Sequence, residues 1–178
     1  NFERGTFHLI IMLLEKLFLQ KIKQRMQDSK PYRNPENKRV LIIGGGAAGF
    51  FTAIKIAEEN PAIKVTILEQ GKDVLGKVKI SGGGRCNLAH AEFIPRELSK
   101  NYPRGQRELL GPFNSFSSGD TMAWFEERGV DVKIEEDGRI FPISDSSQSV
   151  IDCFMNACKA NGVSILTKRK VLNIYPPE

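Results

Sequence analysis

Residues 40–69 read VLIIGGGAAGFFTAIKIAEENPAIKVTILE, and this stretch decides the fold. Val40–Ile43 is a short β-branched apolar run that reads as a strand, and it ends in GGGAAG at 44–49. From Ala47 to about Glu58, apolar side chains recur at Ala47, Phe50, Phe51, Ile54 and Ala57, the stripe of a helix packed on a sheet. Asn60-Pro61 stops that helix, and Lys64–Glu69, KVTILE, reads as a second strand. Strand, glycine turn, helix and strand follow one another within about 30 residues, as a βαβ unit requires.

The glycines carry the chemistry. Gly44-x-Gly46-x-x-Gly49 alone is a weak pattern, but here it follows a strand and opens a helix, and Glu69 lies 20 positions past the last glycine. That context makes it a dinucleotide fingerprint. Gly44 permits the tight turn, Gly46 lets a pyrophosphate approach the backbone, and Gly49 lets the helix pack closely on the sheet. A pyrophosphate would sit over the helix N-terminus, where unpaired N–H groups and the positive end of the dipole neutralise it. Glu69 would accept hydrogen bonds from the ribose hydroxyls. Rival readings lack their parts, since Gly71-Lys72 is followed by Asp73 and Gly76-Lys77 by Val78, not by the Ser or Thr of a P-loop.

Composition bounds the rest. The chain has 178 residues and is 40% hydrophobic, which excludes a disordered or collagen-like class and allows a core without staples. Its net charge is +5, and residues 1–39 hold nine Lys/Arg against four Asp/Glu, which leaves 17 of each sign in residues 40–178. The positive balance therefore belongs to the leader, and no nucleic-acid partner is expected for the globular part. Three cysteines, Cys86, Cys153 and Cys158, form no C-x-x-C pair, which points to a reduced, cytoplasmic protein. With His8 and His90 as its two histidines, the chain is poorly equipped for a histidine metal site or a catalytic triad, and no metal is expected.

Residues 1–38 read as a basic leader and linker, and residues 39–178 as the Rossmann-like part. Residues 9–22, LIIMLLEKLFLQKI, are too short for a spanning helix. They are either a basic amphipathic helix, with membrane contact through residues 9–25, or upstream sequence outside the functional protein, and the second is the expectation. Farther on, the region between 88 and 117 reads as irregular. A helix is expected over Asp120–Arg128 with Ser118 or Asp120 as its cap and Gly129 past its end. Val130–Pro142 suggests a hairpin turning at Asp137-Gly138. A second helix follows Ser144 or Asp145, stopped by Asn161-Gly162, and Val163–Leu166 and Val171–Ile174 are expected strands.

Lys77–Asn87, KVKISGGGRCN, is a strand-like run followed by three consecutive glycines. Backbone N–H groups there, with Ser81, Arg85 and Asn87, suit a phosphate or a polar flavin edge; an ordinary flexible loop is the equal alternative. Cys86 reads as a packed or cofactor-adjacent thiol, because no resolving cysteine is close in sequence. No catalytic acid or base is assigned.

GGGAAG, Glu69, SGGGRCN and EDGRIFPISD at 136–145 together resemble the HI0933-like family of FAD-dependent oxidoreductases over about residues 39–175. The resemblance implies an α/β, Rossmann-like FAD-binding domain of the two-dinucleotide-binding type. It also implies hydride transfer through the flavin N5, with NAD(P)H as a candidate electron donor and a small molecule as substrate. Gly44, Gly45, Gly46, Ala47, Ala48 and Gly49 match the family's pyrophosphate turn, and Glu69 its ribose acid. Lys77 matches a lysine that in many members follows Gly-Arg, here replaced by Leu75-Gly76. Gly83, Gly84, Arg85, Cys86 and Asn87 match the segment expected near the FAD, and Val171 a strand position that meets adenine through its backbone. Members are about twice as long, so the chain is expected to be an incomplete, N-terminal part. A non-catalytic nucleotide-binding fragment and an NAD(P)-binding dehydrogenase remain the alternatives.

Overall fold

A computed structural model describes residues 38–175. The leader, with both readings of residues 9–25 (membrane contact, and the expected upstream sequence outside the functional protein), lies outside the described residues. The first strand, β1 (Arg39–Ile43), leads through the glycine turn into helix α1 (Ala47–Glu59) and then into β2 (Lys64–Leu68). The two strands are parallel, with Arg39 opposite Lys64 and Ile43 opposite Leu68. Strand β6 (Ser164–Leu166) pairs parallel to β2 on its other side, giving the order β1-β2-β6. The expected βαβ unit is therefore present, and among the described residues β1 stands at the sheet edge.

Helix α1 is buried on more than one stripe. Phe50, Phe51, Ala53, Ile54 and Ile56 are all at most 2% exposed. A helix that is apolar most of the way round belongs inside a core. Here the sheet covers one side of it, and aromatic residues from two later helices, α5 (Ser118–Glu126) and α6 (Ser147–Ala160), cover the other. Phe51 meets Trp124 at 5.2 Å between ring centroids, Phe50 meets Phe154 at 6.0 Å, and Phe125 meets Phe154 edge-on at 5.6 Å. Each such ring pair contributes about 0.5–1.5 kcal/mol beyond its buried area. The opposite face of the sheet is bare among the described residues, with Leu41 63% and Ile43 58% exposed.

Between β2 and β6 lies a second, antiparallel sheet of order β3-β5-β4, made of Ala89–His90 (β3), Val132–Ile134 (β4) and Arg139–Pro142 (β5). β4 and β5 form the hairpin expected around Asp137-Gly138, where Gly138 has φ +80°.

Four expectations need correction. Lys77–Ile80 is no strand but the body of a short helix, α2 (Gly76–Ile80), which buries Val78 and leaves Ile80 73% exposed. The region from 88 to 117 is not irregular, because it holds β3 and two helices, α3 (Pro95–Lys100) and α4 (Gln106–Phe113), joined by a small core of Leu98, Tyr102, Leu109 and Phe113. The cap of α5 is Ser117, one residue before the expected position, and α6 is capped by Ser146 through its side chain. Val171–Ile174 forms no strand: Leu172 and Ile174 are each 77% exposed, with no neighbouring strand to pair with among the described residues.

Candidate functional site

The site is built where β1 ends. Gly44 turns the chain with φ +110° and donates its N–H to the Leu68 carbonyl at 2.8 Å, tying the turn to the end of β2. A side chain at Gly49 has no room, since its Cβ would stand 2.0 Å from the Gly44 carbonyl oxygen. At Gly46 the same construction meets nothing within 4 Å. One glycine is thus required by the packing of helix on turn, and the other opens onto free space. That is the division of labour expected from the fingerprint.

The N-terminus of α1 suits an anion. Its cap residue Gly46 supplies no side-chain hydrogen bond, and no acidic residue stands in its first turn. The orphan N–H groups and the positive dipole end of a 13-residue helix are left for a ligand rather than for a protein carboxylate. Ala47 and Ala48 keep this end free of long side chains.

Glu69 frames the turn from the other side. Its Oε2 accepts the Gly45 N–H at 2.8 Å and its Oε1 accepts the Gly71 N–H at 2.6 Å. These two bonds, the Gly71 bond first, hold its carboxyl below the usual carboxylate range. The group stays ionised and retains lone pairs for hydroxyl donors. Gly45 is itself confined, because a Cβ there would lie 2.7 Å from Val74 Cγ1. Leu75, buried and at φ +57°, donates its N–H to the Gly45 carbonyl at 2.7 Å. That bond sets α2 against the turn and leaves Lys77 exposed on the short helix.

The glycine cluster forms a kinked turn, Ser81–Gly84, with Gly82 and Gly83 in the left-handed region at φ +55° and +69°. Gly83 is exposed with open space around it. Cys86 is fully buried at φ +65°, and burial pushes its thiol up to about 11, so its side chain belongs to the core and only its backbone is offered to a ligand. With its nitrogen turned toward them, the Asn87 amide donates to the carbonyls of Ala89 and Ile140 at 2.8 and 3.2 Å. Arg85 faces the β4–β5 hairpin, where its Nη1 donates to Glu135 and lies 3.4 Å from Asp145. The structure gathers Gly44–Gly49 and Glu69 tightly. It leaves Val171 half-buried just beyond the segment 168–169, whose N–H groups donate to the carbonyls of Gly71 and Glu69 at 2.8 Å each.

One residue escaped the sequence reading. A cleft of about 410 Å³ runs along the outer edge of β1, lined by Leu41, Ile43, Gly44, Gly46, Gly49 and Thr52 among others. The buried Thr52 Oγ1 has no hydrogen-bond partner among the described residues. The available signal was a lone hydroxyl in an otherwise apolar run, FFTAI at 50–54.

Known proteins resemble the chain in sequence and in fold. The family model described as HI0933-like protein Rossmann domain matches residues 38–177. A ribosomal RNA dihydrouridine synthase of Haemophilus influenzae is 27% identical over 134 residues, covering 75% of this chain and 32% of that protein. A 3-dehydro-bile acid delta(4,6)-reductase of Clostridium scindens is 32% identical over 133 residues, again 75% of this chain and 32% of the relative. The open conformation of a flavocytochrome c3 fumarate reductase superposes with a TM-score of 0.52 at 21% identity, covering 84% of this chain and 29% of that one, a likeness of fold. The chain spans about a third of the length of these curated relatives, less than the half expected.

Proposed function

This chain belongs to the HI0933-like Rossmann family, and from that premise we propose that it is the FAD-binding part of an FAD-dependent oxidoreductase. The observation that carries the reading is the uncapped N-terminus of α1, open above Gly46 and flanked by the ionised Glu69. The N–H groups of the first turn of α1 would hold the pyrophosphate, and Glu69 the ribose hydroxyls of the adenosine half. The Ser81–Gly84 turn, with Gly83, Gly84 and the backbone of Arg85 to Asn87, would lie toward the flavin end. On the family pattern Lys77 is assigned to the cofactor site and Val171 to its adenine end. When bound, FAD supplies hydride transfer through its flavin N5, while the protein contributes binding and orientation. NAD(P)H is the proposed electron donor.

The substrate class is carried as a small molecule. Relatives named for ribosomal RNA keep an RNA base as a second substrate reading, despite the balanced charge of residues 40–178. The three unpaired thiols support a cytoplasmic setting, and no helix among the described residues is long and apolar enough to cross a membrane.

Reconstitution tests the reading. The purified chain is mixed with excess FAD, desalted and examined for a visible flavin band. A retained band supports the proposal. A folded, colourless protein that binds ADP or NAD in a separate titration would replace it with a plain nucleotide-binding module.

A further inference from the structure

Arg85 follows directly on the Ser81–Gly84 turn, and its guanidinium is held on three sides. Nη1 donates to Oε1 of Glu135 and stands 3.4 Å from Oδ1 of Asp145, and Cζ lies 3.9 Å from the centroid of the Phe141 ring. The two carboxylates are fixed in turn: Glu135 is 3.5 Å from Nη2 of Arg139, and Asp145, at φ +50°, accepts from Lys133. These partners sit on the β4–β5 hairpin or just past its end, 50 and 60 residues from Arg85.

The same Phe141 ring touches the turn. A Cβ on Gly82 would stand 2.8 Å from Phe141 Cε1 and 2.8 Å from the Asn87 backbone nitrogen. One aromatic ring therefore backs the guanidinium and abuts the glycine turn. A stacked, forked arginine is suited to such fixed placement, since its planar group loses little freedom for each bond it makes. A guanidinium engaged in this way is poorly placed to leave for a phosphate, because it would give up two carboxylate contacts and the Phe141 ring at once.

We propose that Arg85 is a positioning residue: bridging Glu135, Asp145 and the Phe141 ring, it locks the Ser81–Gly84 turn against the β4–β5 hairpin and so presents the backbone of that turn to the cofactor. The proposal rests on the FAD reading for the ligand, and on the geometry alone for the locking. It replaces the direct phosphate or flavin contact that the sequence suggests for this side chain.

The test uses the full chain with Arg85→Ala, Arg85→Lys, Glu135→Gln and the double variant Arg85→Ala/Glu135→Gln. Amide hydrogen exchange without ligand is read at Gly82–Gly84 and at Gly44–Gly49, and FAD affinity is read by titration. Locking predicts exchange about 10-fold faster at Gly82–Gly84 in Arg85→Ala and unchanged exchange at Gly44–Gly49. It further predicts FAD affinity about 10-fold weaker in each single variant and no weaker in the double one, because both remove the same link. Arg85→Lys, which keeps the charge and one ion pair, falls between and serves if the alanine variant does not fold.

Unchanged exchange at Gly82–Gly84 in both Arg85 variants would overturn the proposal. So would losses of FAD affinity that multiply in the double variant, the sign of a direct contact. If the parent chain retains no FAD, the functional reading fails, while the exchange measurement still decides the role of Arg85.

Discussion

The Glu69 carboxylate reaches back 24 residues to accept the Gly45 N–H at 2.8 Å, so the acid at the end of β2 also braces the turn at the end of β1. A group expected to serve a ribose is therefore part of the turn's own architecture. Its second bond, to Gly71, closes the loop that follows β2.

Because these bonds favour the charged form, Glu69 titrates below its ordinary value of 4.5 in the folded chain. Its stabilising contribution is complete above that value and is lost as pH falls through the lower native one. Glu69→Gln should cost about 1 kcal/mol at neutral pH, reduced from the full charged-bond figure because the group is largely solvated. It should also flatten the acid side of the stability curve, read by urea denaturation between pH 3 and 6, two limits set on the order of one to two units around the carboxylate range.

Gly46 and Gly49 offer a paired experiment. Gly49→Ala drives a methyl into the Gly44 carbonyl and should destabilise the chain by about 3 kcal/mol or more, seen as a lower melting temperature. Gly46→Ala meets open space at φ −90° and should leave the melting temperature nearly unchanged while weakening FAD binding about 10-fold or more. Equal effects of the two on stability would contradict the assignment of their roles.

The three thiols are buried, and burial pushes Cys86 and Cys153 up to about 11 and Cys158 up to about 12. A thiol reagent at neutral pH should label none of them until denaturant is added. Their contribution is complete below the ordinary thiol value of 9.0 and is lost as pH rises through the native values, so stability should fall on the alkaline side.

The Asp120 carboxylate accepts both the N–H and the hydroxyl of Ser117, at 2.6 and 2.7 Å, and so fixes the start of α5. Asp120→Ala should cost about 1 kcal/mol, measured by chemical denaturation. The change should not alter cofactor affinity, since α5 touches the site only through the aromatic core.

What was legible in the sequence follows range. The β1–α1–β2 unit could be read because its signals are local: a change of hydrophobic period, glycines at the turn, and an acid at a fixed distance. Lys77–Ile80 misled because four residues fit either period, and the helix is tied down by distant partners, Gly45 through Leu75 and Ser147 through the Lys79 carbonyl. Helices α3 and α4 went unseen because they are short and close a private core of Leu98, Tyr102, Leu109 and Phe113 rather than joining the main one. A strand at Val171–Ile174 needs a neighbour, which no local pattern supplies. The partners of Arg85 lie 50 and 60 residues away, so its environment was visible only in three dimensions.

The bare edge of β1 has a practical meaning for anyone handling the chain in isolation. Among the described residues β1 pairs along one side only, with β2, and its other side, beside the exposed Leu41 and Ile43, is a template onto which another extended segment can stack. At high concentration such a surface should favour clumping of the folded chain. A single lysine in place of Leu41 would act as a gatekeeper, discouraging that growth while leaving the glycine turn and Glu69 untouched.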